Sequence, residues 1–159
     1  MCLSADLQLA PYQLKWSNSR NGCRKVKILQ KPVDQPLFIG VSTPGVEPKK
    51  NGLICDDSSS YGMWSHGPVA AAGQWILSGA IKLPASSVIR NDLLERRAPF
   101  DRAFCAGDEV VVVLDCTSHT LRLQSPTVRY VVDIQQQHHL HHWVLDINFG
   151  WGDHQVKIL

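Results

Sequence analysis

Across residues 107–124, GDEVVVVLDCTSHTLRLQ, the apolar and polar positions fall into two strands and a turn. Gly107 and Asp108 open the stretch, and Val110, Val111, Val112, Val113 and Leu114 make a β-branched apolar run. Asp115, Cys116, Thr117, Ser118 and His119 then supply turn chemistry. In the returning arm Leu121 and Leu123 point one way and Arg122 and Gln124 the other. Four consecutive valines predict a strand covered on both faces, which places this hairpin inside a sheet rather than at its edge.

The flanking segments repeat the strand signal. Residues 24–29, RKVKIL, alternate basic and apolar side chains and predict a strand with one face in water. Pro32 and Pro36 bound the following turn, and residues 37–42, LFIGVS, predict a buried strand. Residues 43–57 form a loop rich in Pro, Gly, Lys and Asn, with room for a short strand at 52–55. Strands are expected at 60–65 and 75–83, whereas 69–73, VAAAG, is too small-sided to pack strongly. Residues 84–104 break the pattern; Ser87 as N-cap, with Val88, Ile89, Leu93 and Leu94 at helical spacing, predicts one short helix. Residues 127–134 predict a strand with Val128, Tyr130 and Val132 on one face. Residues 143–149 and 155–159 close the fold.

Ahead of residue 24 no strong pattern appears. Residues 1–23 are expected to be an irregular lead-in, with Trp16 packed on the domain and Asn21-Gly22 available to close a hairpin between 13–17 and 24–29. Residues 24–159 make the domain proper. About nine short strands with almost no helix point to an all-β, two-layer antiparallel sandwich.

Four stretches, in order, carry a family resemblance. The Gly-Asp turn, the valine strand ending Leu114-Asp115 and the Thr120-Leu121 return resemble the SPRY domain, the core of B30.2. Leu37 to Ser42 resembles that family's Val-Gly-Val-Ala strand, and Ser60-Tyr61-Gly62-Met63-Trp64 its Ser-Trp-Gly-Trp segment. Residues 143–159, WVLDINFGWGDHQVKIL, resemble its closing pair of strands. The Trp151-Gly152 pair is close to one found in the SOCS-box subgroup. The resemblance implies a sandwich that binds peptides, as the substrate-recognition part of a ubiquitin ligase or another adaptor. A Neuralized-type repeat has a similar sandwich and a similar closing strand.

Composition narrows the classes. A chain of 159 residues with 44% hydrophobic and 19% charged residues is one folded domain, and no apolar run approaches the ~20 residues that span a bilayer. Residues 1–50 hold eight Lys/Arg against Asp6, Asp34 and Glu47, yet no aromatic residues interleave with Arg20, Arg24, Lys25 and Lys27. These basic residues therefore read as a solvated strand face, not as a nucleic-acid surface. Five cysteines without a C-x-x-C pair, behind a start that lacks the marks of a secretory signal, predict free thiols in an intracellular protein.

No reaction chemistry stands out. His138, His139, His141 and His142 alternate faces if extended, so they offer at most about two ligands to one ion, and they read as a solvated loop without a metal. Among Ser65-His66, His119 and Asp153-His154 there is no G-x-S-x-G elbow, no H-E-x-x-H and no phosphate-binding glycine pattern, so neither an enzyme nor a cofactor site is expected. A lectin-like sugar site is the alternative, because Trp151, Asp153 and His154 combine a stacking surface with polar partners. Trp64, Trp75 and Trp143 read as core residues.

The resemblance carries the peptide pocket of the SOCS-box subgroup onto Trp151 and Gly152. The subgroup's pocket tyrosine falls near Lys50 here, so a cation replaces an aromatic wall and an acidic or phosphorylated peptide is favoured over an Asn-rich one. The expected peptide-binding set is Lys50, Asp56, Asp57, Tyr61, Trp151, Gly152 and Asp153, on a monomer that acts through protein partners and not through membrane or nucleic acid.

Overall fold

The computed structural model describes residues 2–5, 11–15, 21–43, 60–72, 74–76, 97–134, 143–149 and 153–159. Two antiparallel six-stranded sheets face each other. Sheet A runs β1 (Cys2–Ala5), β12 (His154–Ile158), β3 (Asn21–Gln30), β8 (Glu109–Asp115), β9 (Thr120–Gln124), β10 (Arg129–Asp133). Sheet B runs β2 (Pro11–Lys15), β11 (Val144–Phe149), β4 (Leu37–Ser42), β5 (Tyr61–Trp64), β6 (Val69–Ala71), β7 (Gln74–Ile76). The helical content of the described residues is one 3-10 turn at Pro99–Asp101.

The core fills the space between the sheets with the inward half of each alternating strand. Val26 and Ile28 of β3, Val110, Val112 and Leu114 of β8, and Leu121 and Leu123 of β9 meet Leu37, Ile39 and Val41 of β4 together with Leu145, Ile147 and Phe149 of β11. All are buried. Val128, Tyr130 and Val132 share the inward face beside them, as the period of two requires. The 107–124 hairpin sits inside sheet A, with β8 between β3 and β9 and β9 between β8 and β10.

Several local expectations change. The valine run is covered on one face only: Val110 and Val112 are in the core, while Val111 and Val113 are half-buried on the outer face. The run is β-branched for propensity as much as for burial. The expected irregular lead-in instead supplies edge strands, β2 against β11 with Tyr12 opposite Ile147, and β1 against β12 with Leu3 opposite Val156. Pro11 is tolerated because it opens an edge strand. Asn21 and Gly22 form no hairpin turn; they continue β3 and pair with Asp115 and Leu114. The small-sided segment packs well, since Val69 and Ala70 are fully buried. The expected helix, the 52–55 strand and the histidine run lie outside the described residues.

Sheet B is buried on both faces where β4, β5 and β11 adjoin. Phe38, Trp64 and Ala70 form a second, outer cluster, with the Phe38 and Trp64 rings 5.3 Å apart. Gly40 and Gly62 face each other across β4 and β5 beneath it.

Candidate functional site

The register divides the connections between the two ends of the sandwich. β4 and β11 are antiparallel, with Ser42 opposite Val144 and Leu37 opposite Phe149. The segment from Thr43 to Ser60, which contains Lys50, Asp56 and Asp57, is rooted at the Ser42 end. The segment between Phe149 and His154, which contains Trp151 and Gly152, is rooted at the Leu37 end, roughly 17 Å away along the strands. The two stretches that the sequence joins into one pocket thus leave the frame at opposite ends.

Tyr61 belongs to neither surface. Its side chain is fully buried in the core, with its ring edge-on to Trp143 at 5.9 Å. The period of two explains the correction: Tyr61 stands opposite Val41 and shares its inward face, so the ring is withdrawn from any open pocket. Asp153 is exposed at the entry to β12. Lys50, Asp56, Asp57, Trp151 and Gly152 are outside the described residues, and Trp64 and Trp143 are core residues.

The Leu37 end is braced by side chains. Lys31 is inaccessible to solvent along its whole side chain, and its Nζ donates to Asp101 Oδ1 at 2.5 Å and to the Pro32 carbonyl at 3.0 Å. Arg97 grips Asp108 through two bonds, Nη1 to Oδ2 at 2.6 Å and Nη2 to Oδ1 at 3.3 Å. Burial pulls the Arg97 guanidinium down, but the hydrogen bond and charge of Asp108 outweigh it and hold the pKa above its usual value. Asp108 Oδ2 also accepts the Cys105 N–H at 2.9 Å. Burial and the nearby Asp108 charge raise the Cys105 thiol, which favours its protonated form. The 125–128 turn is tied in as well: Thr127 Oγ1 lies 2.7 Å from the Ala103 carbonyl, and Ser125 Oγ donates to the same oxygen.

On this braced end an aromatic path runs outward. From the Phe38–Trp64 pair it passes to His66, 6.0 Å from Trp64, and then to Phe100, 5.6 Å from His66. Phe100 is 38% exposed and Val33, in the turn before β4, is 61% exposed. Burial, and then the Lys31 charge, lower the His66 pKa, so the imidazole at this site is neutral at pH 7. An exposed ring against a partly buried, neutral imidazole, next to held charges, suits apolar contact. Among the described residues no group of three or more metal-ligating side chains occurs.

Sequence reasoning missed the exposed Phe100 and the Lys31–Asp101 pair that holds its segment. Pro99-Phe100, an apolar ring in an otherwise charged stretch, was the available signal. The Lys31–Asp101 pair spans a separation of 70 residues that no local pattern reports.

No protein-family model matches the sequence, and no curated protein matches it. Solved structures do. The SPRY domain of human HERC1 is similar at 16% identity and a TM-score of 0.55, over 96% of this chain and 79% of that one. The TRIM65 PSpry domain is similar at 14% identity and 0.56, over 96% of this chain and 70% of the other. Stonustoxin is similar at 12% identity and 0.57, over 95% of this chain and 21% of its own. The chain has the SPRY fold, a two-layer antiparallel β-sandwich.

Proposed function

We propose that this chain is a protein-interaction module that binds a peptide segment of a partner at the Leu37 end of its sandwich. Trp151 and Gly152, between Phe149 and His154, act in this reading as the anchor, and Asp153 and the exposed Phe100 contribute from the described residues of the same end. The observation that carries this reading is Phe100: an exposed ring, edge-on to the partly buried His66, which in turn contacts buried Trp64, in a segment held by the Lys31–Asp101 and Arg97–Asp108 pairs. Such preformed aromatic positions concentrate binding energy. The SPRY fold supports the same reading by analogy of architecture. Service as the recognition part of a ubiquitin ligase or adaptor is the role the resemblance implies.

Lys50, Asp56 and Asp57, rooted at the other end, act in this reading as selectors of the ligand's charge on a separate part of the surface. Tyr61 supports the frame from within. Selection of a random dodecapeptide library on the protein, followed by calorimetry of the enriched peptide, tests the proposal. Trp151→Ala and Phe100→Ala should each weaken binding by ~2 kcal/mol with the unfolding midpoint unchanged. Equal affinity in both variants would overturn it, as would a library without enrichment beside a positive glycan array.

A further inference from the structure

A second surface lies on the outer face of sheet A. Val113 and Asp115 of β8, Thr120 and Arg122 of β9, and Arg129 and Val131 of β10 line a groove of about 300 Å³. Register explains its layout. Arg122 is opposite Val113 on one side and Val131 on the other, so a guanidinium stem lies between two apolar side chains. Arg129 is opposite Gln124, one alternation along from Arg122, and is therefore its diagonal neighbour.

Two guanidiniums and one carboxylate line this groove. Among the described residues neither Arg122 nor Arg129 has a salt-bridge or hydrogen-bond partner, and Arg122 Nε is buried without one. Asp115, at the far end, already accepts the N–H groups of Thr117 at 2.9 Å and Ser118 at 3.0 Å through Oδ1. Asp133 stands opposite Thr120, so Asp133 and Asp115 are diagonal neighbours of Arg122 on the side away from Arg129, and the carboxylate-poor side of Arg122 is the one that faces Arg129. Lys25 of β3, opposite Val111, adds a positive charge at the Arg129 side of the face, and Glu109, one alternation further along β8, stands opposite Lys27. Val131 remains 43% exposed.

We infer that this groove binds an acidic segment of a protein partner, in extended form, with a carboxylate between Arg122 and Arg129 and apolar side chains on Val113 and Val131. Side chains two apart in an extended peptide point to one side, so an apolar-x-acidic-x-apolar segment presents its groups in the order that Val113, Arg122 and Val131 receive them. The carboxylate supplies the acceptor that two neighbouring guanidiniums lack. The surface is the outer face of sheet A at β8, β9 and β10, and it does not depend on the reading built on Phe100 and Trp151.

The test is a titration of the uniformly 15N-labelled full chain with the heptapeptide acetyl-Ser-Ile-Ser-Glu-Ser-Ile-Ser-amide, followed by amide chemical shifts. Shifts should map to β8, β9 and β10, and affinity should fall as salt rises. Arg122→Gln and Arg129→Gln should each weaken binding about 10-fold, the order expected for losing one charge-assisted bond, with the unfolding midpoint unchanged. Trp151→Ala should leave it intact. The inference is overturned if shifts gather at the Leu37 end or are absent at millimolar peptide. It is equally overturned if a lysine-for-glutamate peptide binds as well, if both glutamine variants keep full affinity, or if only a phosphoserine version or a single-stranded oligonucleotide binds.

Discussion

The ring of Phe38 occupies the space that a side chain at Gly62 would need: a Cβ built there would sit 2.5 Å from Phe38 Cζ. The ring substitutes for the missing side chain and closes the outer face of sheet B over two glycines that pair across β4 and β5. Gly40 is tighter still, because its Cβ would lie 2.1 Å from the Tyr61 carbonyl oxygen and 2.7 Å from Gly62 Cα.

Gly40→Ala is therefore expected to cost ~3 kcal/mol or more, since backbone atoms of a central strand must move. Gly62→Ala should cost a similar amount. Adding Phe38→Ala to Gly62→Ala should not restore stability, because the Ile39 carbonyl oxygen would still lie 2.6 Å from the new Cβ. Urea unfolding of the single and double variants decides it.

The two faces of β8 give a sharper contrast. Val112 is fully buried, and aspartate there would place an unpaired charge between the sheets, so Val112→Asp should unfold the domain. Val113 is half-buried on the outer face opposite Arg122, so Val113→Asp should change stability by ~1 kcal/mol or less. Circular dichroism melts of both variants would show the difference; equal loss at the two positions would contradict the alternation.

The Lys31–Asp101 pair should behave as a buried pair. Asp101→Ala leaves the Lys31 ammonium, whose side chain is 0% exposed, without its carboxylate, at an expected cost of ~3 kcal/mol. Lys31→Met combined with Asp101→Ala should be less destabilised than Asp101→Ala alone, because no uncompensated charge remains. A double-mutant cycle in urea measures both.

Acid should weaken the fold near neutrality through His66. Burial and the Lys31 charge depress its folded pKa below the ordinary 6.5, so the neutral form is favoured in the folded state. The stabilisation is present above 6.5 and is lost as pH falls through the lower folded value. His66→Gln should flatten the stability profile just below pH 6.5. Asp115, held below 3.8 by hydrogen bonds from Ser118 and then Thr117, acts only at much lower pH. Urea midpoints measured from pH 7.5 downward would reveal the His66 window.

Local alternation carries much of the fold on its own. Leu37–Ser42, the β8–β9 hairpin and the inward face of Tyr130 and Val132 follow from period-two patterning and turn residues alone. The β2 strand is harder because Tyr12 and Leu14 are few apolar positions, and their partner β11 is far away in the chain. The site is less legible for a related reason. Which end of the sandwich a loop occupies depends on register between β4 and β11, and Tyr61 reads as exposed until its pairing with Val41 fixes its face.

The positions of β11 and β12 bear on how the protein is made. Although they are the last strands in sequence, each lies inside its sheet, β11 between β2 and β4 and β12 between β1 and β3. During synthesis neither β1 nor β2 can join its sheet until residues 144–158 have left the ribosome. Until then β3 and β4 each present an unpaired edge, and Ile28 and Ile39 lack the neighbours that bury them. A nascent chain halted before residue 144 is thus the form most in need of a chaperone, and its aggregation should disappear once the final two strands are supplied.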